Sequence, residues 1–187
     1  FDKYYLENAI NILKNTERSF LIASYKNNEE TESQYYYNNK NGQVIEENNV
    51  SSHANCFAIN SSFCQFNYLE DVGDFNTKLL PHYLSDIEYS YRAIKKGYKV
   101  IKNKNVQVEW DTKSTGIHNS DEISFTEYLR IVFKKKYSGN PIHWTCFYYL
   151  TMEKKYFFPT FTIFWIKFIV KFFLKLTIHV KNNIHQK

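Results

Sequence analysis

Residues 72–98 read Val72-Gly73-Asp74-Phe75-Asn76-Thr77-Lys78-Leu79-Leu80-Pro81-His82-Tyr83-Leu84-Ser85-Asp86-Ile87-Glu88-Tyr89-Ser90-Tyr91-Arg92-Ala93-Ile94-Lys95-Lys96-Gly97-Tyr98. The second half predicts the clearest helix of the chain, over 86–97. Ile87, Tyr91, Ile94 and Tyr98 recur at helical spacing as one apolar stripe, Glu88 and Arg92 stand four apart and can pair, and Gly97 supplies a stop. Asp86 falls at the start, where the helix dipole and unpaired backbone N–H groups favour an ionised carboxylate. Such a carboxylate beside a cleft makes a general base. On spacing alone the plainer reading of Asp86 is an N-cap.

Outward from this stretch, strands and helices alternate. Downstream, Lys99-Val100-Ile101 opens a strand, Asn103-Lys104-Asn105 predicts a turn, and Val106, Val108 and Trp110 alternate as a second strand. Upstream, Tyr5, Ala9, Ile12 and Leu13 predict a helix, and Phe20 to Ala23 a short apolar strand. Residues 26–55 are polar, with one turn signal at Asn41-Gly42 suited to joining two short strands. Cys56 to Ile59 is the next strand candidate, ending in Asn60-Ser61-Ser62. A further helix is expected over 123–136, broken by Ser138-Gly139-Asn140-Pro141. Alternation of this kind favours an α/β layered fold.

Composition bounds the rest. The chain has 187 residues, 43% hydrophobic, with 16 Tyr, 16 Phe and 3 Trp. That suits one main domain with at most a small appendage and excludes a disordered or collagen-like chain. Three cysteines without a CxxC or Cys/His cluster suggest neither a disulfide framework nor zinc, and read as free core thiols in a reducing compartment. The net charge of +5 is uneven. Residues 1–129 hold 13 Lys and Arg against 18 Asp and Glu, whereas 130–187 hold 11 against Glu153 alone. Basicity confined to a hydrophobic tail argues against a nucleic-acid-binding domain.

The tail over 157–180 is almost wholly apolar apart from Lys167, Lys171 and Lys175, which drift along one helix face. A helix lying in the membrane interface is the favoured reading; a core helix with snorkelling lysines and a true span are its alternatives.

The quoted stretch resembles the second half of the family 2 inverting glycosyltransferases. The resemblance rests on Gly73-Asp74-Phe75-Asn76, Leu80-Pro81-His82-Tyr83, Ser85-Asp86-Ile87-Glu88 and Arg92-Ala93 with Gly97-Tyr98, in the family's order. It extends loosely to 2–140, with Asn60-Ser61-Ser62 and Ser114-Thr115-Gly116 in fitting places. It implies a partial GT-A, Rossmann-like α/β domain over 1–136, followed by a basic, aromatic helical tail over 137–187.

The resemblance makes Asp86 the base that deprotonates an acceptor hydroxyl, which attacks a nucleotide-activated sugar with inversion. His82 and Tyr83 would line the acceptor side, and Ser61, Ser62 and Ser85 would lie against substrate. Glu88 and Arg92 would be structural support. For His82, a hydrogen-bonded structural histidine is an equal reading. The implied partners are a nucleotide-sugar donor and a glycan or lipid-linked acceptor; the basic, aromatic tail adds a membrane surface contacted by 157–187, and its charge confinement argues for no nucleic acid. The implied place is the cytoplasmic face of the inner membrane, in polysaccharide biosynthesis.

Three departures accompany the resemblance. Asn76 stands where relatives carry Asp, and Ser61-Ser62 where a small glycine is common. The metal-holding histidine after the second strand is replaced by Glu109, Trp110 and Asp111, with His118 further on. A divalent cation, Mg²⁺ or Mn²⁺, is expected for the complete enzyme. Asp111 is a candidate oxygen ligand, with a plain surface carboxylate as its other reading. The family's Asp-x-Asp motif does not occur in these 187 residues. The opening Phe1 to Leu6 resembles the segment just after that motif in relatives, so roughly 100 residues of βα units are expected upstream. A non-catalytic, membrane-associated binding module of the same fold is the rival reading.

Overall fold

A computed structural model describes residues 3–25, 34–46, 54–59, 62–108 and 123–185. Its elements, in chain order, are α1 (Tyr5–Lys14), β1 (Ser19–Tyr25), β2 (Gln34–Asn38), β3 (Gln43–Glu46), β4 (Cys56–Phe57), β5 (Ser62–Phe63), α2 (Phe66–Val72), α3 (Ser85–Lys95), β6 (Lys99–Val108), α4 (Phe125–Ile131), α5 (Pro141–Thr151) and α6 (Lys154–His185). The mixture is α/β, with two small sheets and several helices among the described residues. The described residues gather into two compact units, one from 3–38, 43–76 and 85–108, the other from 39–42, 77–84 and 123–185.

The first unit is built on β1. This strand pairs in parallel with β6 and antiparallel with β5, giving a mixed sheet of order β5-β1-β6. Its apolar run is continuous because both faces are covered. Phe20 and Ile22 turn to a core with Tyr68 and Val72 of α2 and Tyr89 and Ala93 of α3. Leu21 and Ala23 turn to the opposite core, against Tyr5, Ala9 and Leu13 of α1. Those α1 residues are four apart, which puts them on one helix face. The second sheet is antiparallel, β3-β2-β4, with Tyr36 opposite Ile45 and Tyr35 opposite Cys56.

Between α1 and β1 the chain turns at Arg18, whose φ is +47°. Its carbonyl accepts from Lys99 N–H at 2.8 Å and its guanidinium donates to the Lys96 carbonyl at 2.8 Å. The same guanidinium lies over the Tyr98 ring, 4.7 Å from its centroid. These contacts hold an arginine in a backbone region that favours glycine.

Where a strand, a turn and a second strand are expected over 99–110, the structure has one strand in a single direction. The register with β1 jumps, Ala23 pairing with Asn103 and Ser24 with Gln107. The turn chemistry is present locally, since the Asn103 side chain accepts from Asn105 N–H at 2.9 Å. It makes a bulge and not a reversal, because β1 continues alongside and keeps the pairing parallel. Trp110 lies outside the described residues.

In the second unit, α4 is shorter than the expected 123–136 helix. Ser124 caps it by accepting from Glu127 N–H at 3.2 Å. Tyr128, Ile131, Val132 and Tyr137 share one buried cluster. Nine residues at 100° each would put Tyr137 on the side opposite Tyr128, so the helix has to end for Tyr137 to turn inward. Residues 138–141, expected to break that helix, lie beyond its end and start the next one. The Asn140 side chain accepts from Ile142 N–H at 2.9 Å, and Pro141 occupies the first turn of α5. α2 is not among the elements expected from the sequence, whereas α5 falls within the helical tail expected over 137–187.

α6 has a half-buried stripe of Phe161, Phe164, Trp165, Phe168 and Phe172, and Trp165 donates to Thr145 of α5 at 3.0 Å. Its opposite side exposes Phe158, Ile163, Ile166, Ile169, Val170, Phe173 and Leu174. Among the described residues no helix is long and apolar enough to cross a membrane.

Gly42 has a φ of +74°, and a Cβ there would stand 2.7 Å from a ring carbon of Tyr148, itself a buried side chain. Gly42→Ala is therefore expected to cost about 1–3 kcal/mol, from backbone strain and overpacking together. A urea midpoint unchanged by this substitution would remove that account of the turn.

Candidate functional site

Asp86 is the second residue of α3 and is half-buried. Its Oδ1 accepts from the N–H of Ile87 at 2.9 Å, so the carboxylate folds back on the first turn. Beside it runs β4. Burial raises the Cys56 thiol far above its ordinary range, and the negative charge of Asp86 raises it further. Strand and helix are locked together by the buried Ser90, whose hydroxyl accepts from Phe57 N–H at 2.8 Å. Cys56 also donates to the Tyr35 carbonyl at 3.3 Å, and the rings of Tyr37 and Tyr91 meet edge-on at 5.0 Å. The Asp86 carboxylate is thus carried by a fixed strand–helix contact.

Two residues further on, Glu88 is only 4% exposed yet ionisable. Arg92 meets it as a fork, Nε to Oε1 at 3.1 Å and Nη2 to Oε2 at 3.3 Å. The expected pair is present, and it has contacts that spacing did not reveal. Arg92 also donates to the carbonyls of Val72 and, at 2.8 Å, Asp74. It therefore fastens α3 to the end of α2 and to the turn at Gly73, where φ is +86°. Its guanidinium lies 5.1 Å from the centroid of Tyr89, and Phe75 stacks on that same ring at 4.2 Å.

In the second unit, Leu80 is fully buried and anchors the Leu80-Pro81-His82-Tyr83 segment. His82 is exposed, with its ring 4.8 Å from that of Tyr83. Leu84 follows with a φ of +69°, a strained position for a branched side chain immediately before α3. His143 of α5 is a residue the sequence did not single out. It is buried, and its Nδ1 has no hydrogen-bond partner among the described residues. Burial holds its imidazole below the ordinary range, with the positive fields of His82 and Lys135 adding to the effect. A lone histidine after Asn-Pro carries no sequence signal for this.

Ser62 lies on β5 and donates its hydroxyl to the Ile59 carbonyl at 2.8 Å. Ser85 is the first residue of α3. Ser61, Asp111, Glu109, Trp110, Ser114-Thr115-Gly116 and His118 lie outside the described residues. Among the described residues no three metal-ligating side chains converge. Cys56, Cys64 and Cys146 are all free thiols.

No protein-family model, curated protein or solved structure matches this chain.

Proposed function

We propose that the chain is the acceptor-side part of an inverting, family 2-like glycosyltransferase of GT-A type, with Asp86 as its general base. The observation that carries this reading is the place of Asp86, in the first turn of α3, half-exposed and steadied by a backbone N–H. The helix start favours the ionised form that a base needs. In the reaction the carboxylate takes the proton of an acceptor hydroxyl as its oxygen attacks the anomeric carbon. The bond to the nucleotide diphosphate breaks on the opposite face, and the configuration inverts.

His82 and Tyr83 are proposed for the acceptor side, together with Ser61, Ser62 and Ser85. Arg92 and Glu88 set the helix that carries the base. The substrates are a nucleotide-sugar donor and a glycan or lipid-linked acceptor, in polysaccharide biosynthesis. A divalent cation would offset the diphosphate charge when bound. Residues 157–187 place the protein on the cytoplasmic face of the membrane, where anionic headgroups attract the lysines of α6.

The test is sugar transfer by the protein as its own cells make it. Asp86→Asn is expected to retain donor binding and lose about 10²–10⁴-fold in turnover. Turnover within a few-fold of the parent would remove Asp86 from the role. The absence of Asp-x-Asp from these 187 residues favours a second reading, a non-catalytic membrane-associated module. Failure of that native protein to bind any nucleotide-sugar would select it.

A further inference from the structure

A cavity of about 520 Å³ opens on the first unit where α2 ends, lined by Phe66, Glu70, Gly73, Asp74, Phe75 and Tyr89 among others. That volume lies within the range of small-molecule sites. Its chemistry is one-sided. Glu70 and Asp74 are exposed carboxylates on its wall, and among the described residues no Lys, Arg or His lines it. The neighbouring cation, Arg92, has its charge met by Glu88 and donates as well to the Val72 and Asp74 carbonyls.

The rest of the lining is aromatic. Phe66 is 73% exposed, and Phe75 is 38% exposed although one of its faces is covered by Tyr89. Tyr89 is itself buried, with a hydroxyl that meets no hydrogen-bond partner among the described residues. The cavity therefore combines two negative charges with open aromatic faces.

We propose that this cavity binds a small organic ammonium ion, with a quaternary head preferred over a primary amine. The proposal is independent of the transferase reading. An anion would be repelled by Glu70 and Asp74. A hard metal ion needs six or more oxygen ligands, and Phe66 and Phe75 offer none. A neutral apolar molecule would cover the carboxylates without answering their charge. An alkylated ammonium answers both, because its methyl groups pack on ring faces while its charge is attracted by the rings and by the carboxylates. A primary ammonium keeps its water more tightly and gains less.

Saturation-transfer NMR on the 187-residue chain at constant ionic strength tests this, with choline chloride as the probe. The control is 3,3-dimethylbutan-1-ol, which has choline's shape without its charge. Choline is expected to saturate with a dissociation constant of order 1 mM, and the neutral isostere to bind at least about tenfold more weakly. The double variant Glu70→Gln, Asp74→Asn changes only exposed side chains and should weaken choline about tenfold with an unchanged circular dichroism spectrum. Phe66→Ala should weaken it about fivefold, since it removes one ring face and no charge. Equal binding of the neutral isostere would overturn the proposal, and so would choline binding indifferent to both variants. Absence of saturation below about 20 mM would overturn it as well.

Discussion

Arg92→Ala is expected to destabilise the first unit by about 3–5 kcal/mol, the cost of leaving a buried carboxylate without its partner. Glu88 keeps only 4% of its surface in the protein and has a two-bonded fork from Arg92 as its counter-charge. The substitution also strips donors from the carbonyls of Val72 and Asp74, which end α2 and begin the turn after it. Three segments lose their common fastening at once. The urea midpoint should fall by roughly 2 M, if the unit unfolds with a slope near 2 kcal/mol per molar.

Two companion variants separate the causes. Arg92→Lys keeps the charge but supplies a point donor in place of a planar fork, so it should recover only part of the loss. Glu88→Leu combined with Arg92→Met removes the buried charge altogether and should be milder than Arg92→Ala alone, although the two carbonyls still lack their donors. A loss below about 1 kcal/mol for Arg92→Ala would mean that Glu88 is hydrated or protonated, and the fastening account would fail.

The second large effect belongs to α6. Lys167 and Lys171 are exposed beside the outward apolar face of Ile163, Ile166, Ile169, Val170, Phe173 and Leu174. Lys175 is half-buried, and its ammonium lies 5.4 Å from the centroid of Tyr128. Exposure therefore lets the first two answer a lipid surface more fully than the third. If the helix lies on an anionic bilayer, each contributes about 1 kcal/mol, so Lys167→Gln with Lys171→Gln should weaken vesicle binding by roughly 30-fold. Lys175→Gln should do distinctly less. Co-sedimentation with vesicles containing anionic lipid measures both, and zwitterionic vesicles should reduce the parent at least to the level of the double variant. Binding unchanged by the double substitution would leave only apolar insertion, and the electrostatic part of the membrane proposal would be lost.

The legibility of each element depends on the range of the signal that encodes it. Helix α3 was readable because its stripe, its ion pair and its terminal glycine are local features that agree. Strand β1 was readable from four apolar residues, but its partners were not, since pairing with β6 is decided some 80 residues away. The bulge at 103–107 was misread for the same reason: an Asn-rich turn signal is local, and the neighbouring strand overrules it. α4 ended early because Tyr137 has a core to join. At the candidate site, Asp86 and the Glu88–Arg92 pair were visible in the spacing. The bonds from Arg92 to Val72 and Asp74, the buried His143 and the closeness of Cys56 to Asp86 depend on chain folding, and no spacing encodes them.

The parallel pairing of β1 with β6 has a consequence in time. β1 leaves the ribosome well before its main partner, since the strand that gives it most of its sheet begins only at Lys99. The interval between Tyr25 and Lys99 takes about 4–15 s to synthesise at ordinary elongation rates. For that interval Phe20, Leu21 and Ile22 form a bare apolar strand whose short pairing with β5 covers little of it. α1, made just before, can shield one face while the other waits for α2 and α3. Newborn chains stalled before residue 99 should thus be the species that chaperones hold and proteases find, and slowing translation should lengthen their exposure.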